Sequence, residues 1–413
     1  MKTMIKDKNI VLGVTGSIAA YKAADLASKL TQAGAQVNVI MTKAAQEFIN
    51  PMTFRSITGR PVVTQMFELA SEFSVEHVAL AEIADVVVIA PATANVIAKL
   101  AAGISDDMLT CTVLATKAPL VLAPAMNVNM YENSVTQENL AKLKARGAVV
   151  VEPGYGRLAS GKIGMGRLAD NEKILGNISQ VLGRNGDLAG KYIVVTAGGT
   201  QEPIDPVRYI SNRSSGKMGY AIAQAARDRG ARVLLISAPT ALPEPVGIDM
   251  INVVTAAQMR DAVLKATSKA DALIMAAAVA DYQPTSAAPS KIKRKTDKLT
   301  LEMISTPDIL AEVQGDFIRV GFAAETENLV PNATDKLKRK QLDLIVANDV
   351  TLPSSGFGAD SNKVVLIDRQ GQVEDLPLLP KQEVAHHILN HLASLLPKRR
   401  SKRRTTLAKQ KVS

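Results

Sequence analysis

Short apolar runs alternate along this chain with stretches whose apolar residues recur every three or four positions. In the first half the runs are Ile10–Val14, Val37–Met41, Val86–Ala90, Leu120–Ala123 and Val149–Val151, all rich in Val, Ile, Leu and Ala. Runs of this kind fit strands buried on both faces. Helical stretches such as Ala19–Gln32 and Asn139–Arg146 lie between them. The alternation predicts right-handed crossovers and a mostly parallel sheet. At Gly183–Gly190 (GRNGDLAG) the pattern gives way to a Gly-rich polar linker. It then restarts: KYIVVTAGGT is a strand running into glycines, SSGKMGYAIAQAARDRG a helix, and ARVLLISAP the next strand. Ala272–Met275, Arg319–Phe322, Leu344–Ala347 and Val364–Ile367 read as further strands, and Gln382–Leu395 as a last helix.

The expected fold class is therefore α/β, with two doubly wound, mostly parallel-sheet, Rossmann-like domains. They span residues 1–186 and 187–397, followed by a basic tail at 398–413. A length of 413 residues fits two cores. So does 47% apolar composition, while 3% aromatics and no Trp suit sheets covered by small-residue helices. The single cysteine, Cys111, excludes an intrachain disulfide and fits a reducing compartment. It sits in DMLTCTVLA, where core packing is expected. The N-terminus lacks an apolar signal core and no run reaches membrane length, so a cytoplasmic location is expected. The net charge of +10 would suggest a nucleic-acid partner, but eight of those charges lie in residues 398–413, which carry no anion. The folded body is close to balanced, and no specific nucleic-acid or membrane partner is implied.

Both halves open with strand, Gly-rich turn, helix and strand: VLGVTGSIAAYK…GAQVNVIMT and IVVTAGGT…GARVLLISAP. Such turns sit at the carboxyl ends of strands, where doubly wound sheets bind ligands, and helix-start N–H groups can hold phosphate. Neither turn is G-x-G-x-x-G, and neither second strand ends in the acid that would hold an NAD ribose.

The strings GVTGSIAAYK, APATAN (Ala90–Asn95), GISDDML (Gly103–Leu109) and PAMN (Pro124–Asn127) resemble the flavin-containing cysteine decarboxylases. DPVRYISNRSSGKMG (Asp205–Gly219), AAAVADYQP (Ala276–Pro284), KIKRK (Lys291–Lys295), TPDIL (Thr306–Leu310), GFAAET (Gly321–Thr326) and VANDV (Val346–Val350) resemble the ligase half of the bifunctional phosphopantothenoylcysteine decarboxylase/phosphopantothenate–cysteine ligases. Both halves resemble that coenzyme A biosynthesis family in its order, over about residues 9–182 and 190–396.

For the first half the resemblance implies FMN, with Gly16, Ser17, Thr42, Thr93, Asn95 and Asp106 as its contacts. Asp106 also reads, at a helix start, as an N-terminal charge or cap. His77 in SVEHVALAEIA reads by itself as a structural helix residue. The resemblance makes it the base for thiol oxidation, Asn127 the holder of the substrate carboxylate, and GRLASGKIGMGRL (Gly156–Leu168) a flap over the substrate. Oxidation of the thiol toward a thioaldehyde lets the neighbouring carboxylate leave as CO₂, and the enethiol is then reduced. Many relatives have a proton-donating cysteine where this chain has Ser160, a far weaker acid.

For the second half the resemblance implies ligation of 4′-phosphopantothenate with L-cysteine, driven by CTP through an acyl-cytidylate, with Mg²⁺ bridging phosphates. The metal ligands are not identifiable. Met275, Ala276, Ala277, Asp281, Lys291, Pro307, Asp308, Ile309, Leu310, Phe322, Lys336 and Lys340 are its nucleotide contacts, and Asn212 meets the acyl intermediate. Lys336 and Lys340 are four apart and share a helical face. Homo-oligomers are implied, with trimers through the flavin half and dimers through the ligase half. Two other readings fit the sequence less well. A nicotinamide oxidoreductase lacks its ribose acids, and an inhibitory binding subunit does not account for His77, PAMN and a complete ligase half.

Overall fold

The computed structural model describes residues 4–66, 76–294, 298–325, 327–349 and 358–397. The expected basic tail at 398–413, Lys295 of the basic string and Val350 lie outside them. The chain splits into two compact units, residues 1–191 with 223–233 and 242–250, and residues 192–222 with 234–241 and 251–413.

The first sheet has six strands, all parallel, in the spatial order Val62–Val63, Gln36–Met41, Asn9–Val14, Val86–Ala92, Leu120–Pro124, Val149–Val150. Alternation along the central strand buries both faces. Ile10, Leu12 and Val14 pack on the helices Ala20–Gln32 and Asn171–Gly183, whereas Val11 faces Val96, Leu100 and Leu109. That period-two division explains why a nearly all-apolar strand is stable here. Chain order reverses between Asn9–Val14 and Val86–Ala92, which are neighbours in the sheet. Their carboxyl ends therefore frame a crevice.

The second sheet has eight strands. Tyr192–Ala197, Ala272–Met275, Ile318–Glu325 and Leu344–Asp349 run parallel, one beside the next. Val364–Asp368 and Val373–Asp375 extend it antiparallel. Arg232–Ser237 and Asp249–Asn252 lie on the other side of Tyr192–Ala197. Again the order reverses beside the first strand of the unit. Leu273, Val194 and Ile236 pack with Met259 and Val263 of the helix Ala256–Thr267. The helix Leu329–Arg339 covers Ile345 and Val365 through Ala333 and Leu337.

Some elements differ from the expected ones. The helix expected at Asn139–Arg146 begins earlier, at Ser134, where the Asn133 side chain accepts from the Val135 N–H and supplies the cap. The string expected as a flap forms the antiparallel hairpin Gly154–Arg157/Ile163–Arg167. Cys111 is half-buried rather than fully in the core, with its thiol donating to the Ser105 carbonyl. Among the described residues no helix is long and apolar enough to cross a membrane.

Candidate functional site

The first crevice is a cavity of about 910 Å³ in the six-stranded unit. Gly16, Ser17, Thr42, Thr93, Asn95, Asp106, Asn127 and Ser160 all line it. They come from six separate segments, gathered because each follows the carboxyl end of a strand or belongs to the loops above. Gly16 is required by close packing, since a Cβ there would lie 2.5 Å from Ala44 Cβ. The Ser17 N–H is committed to the Thr15 carbonyl (2.8 Å), and its Oγ accepts from the Ala19 N–H (3.2 Å). The Ser17 donor that remains for a phosphate is therefore its hydroxyl proton, while its backbone N–H is used within the turn.

Thr42 and Thr93 cap short helices, accepting from the N–H groups of Ala45 and Val96. Thr15, buried, ties the crevice together: its hydroxyl donates to the Pro91 carbonyl (2.6 Å) and accepts from the Thr93 N–H (3.1 Å). The Ala90–Pro91 bond is cis. Asp106 is not the helix cap. That role belongs to Asp107, in a capping box with Thr110. Asp106 instead holds Lys99 with both oxygens (2.7 and 2.8 Å), which lowers its carboxyl below the usual range and raises the Lys99 ammonium.

Asn127 connects the crevice to the hairpin above it. Its Oδ1 accepts from the Asn129 N–H (3.0 Å), while Nδ2 donates to Ser160 Oγ (3.1 Å). The amide thus presents its N–H₂ group, the half suited to a carboxylate. Gly166, on the returning strand, has φ +138°, and a Cβ would lie 2.3 Å from the Met126 carbonyl oxygen. Only glycine lets the hairpin press this closely on Pro124–Asn127. Lys22, Lys43, Arg157 and Arg167 also line the cavity, a cationic set the sequence reading passed over. Partial burial, with Arg167 nearby, pushes the Lys22 ammonium down. Five cations against Asp106 and Asp107 suit a ligand bearing phosphate and carboxylate, and the residues present fit a flavin mononucleotide. His77 does not line this cavity. It lies half-buried on the helix Glu76–Ile83.

The second cavity, about 1320 Å³, lies in the eight-stranded unit beyond Tyr192–Ala197 and Ala272–Met275. Asn212, Met275, Ala276, Ala277, Asp281, Pro307, Asp308, Ile309, Leu310, Phe322, Lys336 and Lys340 line it. Buried threonines behind it hold two of its lining residues. Thr196 Oγ1 accepts from the Ala277 N–H (3.1 Å) and Thr200 Oγ1 from the Ala280 N–H (2.9 Å). Asn212 Nδ2 donates to the Val279 carbonyl (2.9 Å).

Lys336 reaches the Phe322 carbonyl (2.9 Å), and Lys340 pairs with Asp308, which caps the helix Ile309–Glu312. Burial pushes Lys336 down, with Glu325 and Asp281 pulling part of the way back. Burial also lowers Lys340 against Asp281. Among the described residues, seven cationic side chains line the cavity against four carboxylates, which favours a polyanion. Among the described residues no group of three or more His, Cys, Asp or Glu could hold a metal ion. Lys291 does not line the cavity. It is exposed on a loop anchored where the Ile292 N–H meets Asp205 (3.1 Å) and the Ile292 carbonyl meets Arg208 (2.8 Å). The Arg208 guanidinium holds the buried Asp205 carboxyl well below the usual range.

Two family models match the chain: "Flavoprotein" over residues 1–183, and "DNA/pantothenate metabolism flavoprotein C-terminal domain" over residues 188–396. A Vibrio vulnificus (strain YJ016) protein, "Coenzyme A biosynthesis bifunctional protein CoaBC", is 46% identical over 395 residues, 94% of this chain and 98% of its own length. A Bacillus subtilis (strain 168) protein of the same description is 46% identical over 398 residues, 95% of this chain and 98% of its own. A solved C-terminal domain of such a bifunctional protein is 41% identical, covering 51% of this chain and 97% of that one, with a TM-score of 0.44.

Proposed function

Because this chain belongs to the bifunctional coenzyme A biosynthesis family, we propose that its two cavities carry the two successive steps, ligation in the second and decarboxylation in the first. The observation that carries this reading is the pair of cavities itself. Each lies at a strand-order reversal, and each gathers most of the motif residues of one half, His77 and Lys291 excepted.

In the ligase step the carboxylate of 4′-phosphopantothenate attacks the α-phosphate of CTP, pyrophosphate leaves, and the cysteine amine displaces CMP from the acyl-cytidylate. Lys336 and Lys340 hold the triphosphate. Pro307–Leu310 and Phe322 bound the nucleotide, and Asn212 faces the acyl group. Lys291 closes onto the developing charge from its loop. Mg²⁺ bound to the phosphates would supply charge neutralisation there, and none of the described residues is assigned to it as a ligand cluster.

In the decarboxylase step the bound flavin supplies two-electron oxidation of the thiol and the later return of those electrons. The Asn127 amide holds the carboxylate that leaves as CO₂. Ser160, at 3.1 Å from that amide, passes a proton to the enethiol carbon, directly or through an enclosed water. The step is redox-neutral and ends in 4′-phosphopantetheine. His77 lies outside the cavity lining of its own chain, so its proposed role as general base requires a second copy of the chain to bring it to the flavin.

Two assays test the reading. Denatured protein should release FMN, identified by mass, and pyrophosphate should appear only when CTP, phosphopantothenate and Mg²⁺ are all present. Purified protein without flavin, or pyrophosphate release independent of the acid, would contradict it.

Lys336 adds a pH dependence. Its pKa is lowered in the folded protein, so the charged form that binds phosphate is lost as pH rises, earlier than for an exposed lysine. KM for CTP should climb on the alkaline side, and the climb should vanish in Lys336→Arg, whose guanidinium stays charged. An alkaline profile identical in both proteins would remove Lys336 from the phosphate contacts.

A further inference from the structure

Besides Arg213, the second cavity has two groups of cations on different elements. One belongs to the helix Leu329–Arg339 and the residue after it, where Lys336 and Lys340 already have a role. The other, Lys217 and Lys381, has none. Each is the first residue of a long helix, Lys217–Asp228 and Lys381–Leu395. A helix start carries the positive end of the dipole, so a lysine there is disfavoured unless an anion is near. Lys381 is only 6% exposed, yet it lines the cavity, and its ammonium donates to a neutral group, the Ala359 carbonyl. Burial and the neighbouring Lys217 charge push it down, opposed by Asp360. Lys217 donates to the Gly358 carbonyl (3.0 Å) and to Asp360 (2.7 Å). The Asp360 side chain is 90% exposed and can turn to solvent. A buried ammonium on a cavity wall, held by a carbonyl beside a second cation, is costly unless a ligand completes it.

We propose that Lys217 and Lys381 form a second phosphate subsite of the ligase cavity, distinct from the Lys336–Lys340 contacts, with Asp360 as the counter-ion that a bound phosphate displaces. The proposal rests on the ligase reading above. Two ligands bring phosphate into this cavity, the monoester of the acid substrate and the triphosphate of the nucleotide. The shared chemistry is a dianionic phosphoryl group.

The test uses the full chain and four variants: Lys381→Met, Lys381→Arg, Lys217→Met and Asp360→Asn. Ligation is measured with 4′-phosphopantothenate, with unphosphorylated pantothenate, and over a range of CTP. Both Met variants should raise KM for one phosphate-bearing substrate by about 10- to 100-fold, the loss expected for a charged hydrogen bond, with little change in kcat. Lys381→Arg should recover part of it, and Asp360→Asn should lower that KM.

A rise confined to phosphopantothenate, with pantothenate unaffected, assigns the subsite to the monoester. A rise confined to CTP assigns it to the triphosphate. Lys217→Met removes a side chain that is not fully buried and serves if Lys381→Met fails to fold. Orthophosphate binding by calorimetry, weakened in both Met variants, reads the subsite without turnover. Unchanged KM values with unchanged orthophosphate binding overturn the subsite while leaving the ligase reading intact. A wild type that makes no CTP-dependent product overturns the ligase reading instead.

Discussion

Replacing His77 with Asn is expected to abolish CO₂ release while leaving FMN bound and ligation intact. Removing a positioned general base costs typically 10²- to 10⁴-fold. Ligation is spared because its motif residues gather in the other cavity. His77 also tests where the site is completed, since it is absent from the lining of its own chain's cavity. Mixed oligomers of His77→Asn and Asn127→Ala chains should regain activity that neither variant shows alone, because some sites would then combine an intact His77 with an intact Asn127. Full CO₂ release by the His77→Asn protein would remove the imidazole from catalysis. A dead single variant with no recovery on mixing would place His77 and Asn127 in one chain's site.

Lys291→Gln should lower ligation by roughly 30- to 1000-fold, or about 2–4 kcal/mol, the scale of one charge-assisted phosphate contact in a closed site. Decarboxylation of added phosphopantothenoylcysteine should be unchanged. The loss should fall mainly on kcat if the loop closes on charge developed in the transition state, and on KM if Lys291 only binds ground-state phosphate. Residues 292 and 205–208 hold the base of this loop, so the lysine is tethered near its own unit. Near wild-type ligation would make it a solvated surface charge.

The strands were legible because period-two burial leaves an apolar run that little else produces. The place of a ligand crevice was legible because doubly wound sheets put ligands at strand ends, whereas the individual contacts came from the family resemblance. Gly16, Thr93 and Asn127 all follow the strands that frame the first cavity. The antiparallel direction of Val364–Asp368 had an available signal that the expectation of a mostly parallel sheet left out. The sequence between it and Leu344–Asp349 holds no helical repeat for a crossover, and the structure pairs the two strands antiparallel. The hairpin Gly154–Arg157/Ile163–Arg167 was missed as strands because its glycines erase the apolar alternation. Its string nevertheless contains Arg157 and Arg167, and two arginines flanking an expected substrate flap were an available signal. Lys217 and Lys381 gave no local signal. They stand 164 positions apart in the chain and meet only through the tertiary fold.

His77 and Lys291 show the reverse. Resemblance singled them out, yet neither lines its expected cavity. Ser17 is an intermediate case: it lines the first cavity, but its N–H is used within the turn.

The central claim, two successive reactions in one polypeptide, is tested most directly by mass spectrometry of the product formed from 4′-phosphopantothenate, L-cysteine, CTP and Mg²⁺ without added oxidant. The account predicts catalytic turnover to saturated 4′-phosphopantetheine, with CMP and pyrophosphate released and Ser160 or an enclosed water supplying the last proton. Accumulation of phosphopantothenoylcysteine, or a decarboxylated product lighter by two hydrogens with the flavin left reduced, would contradict it.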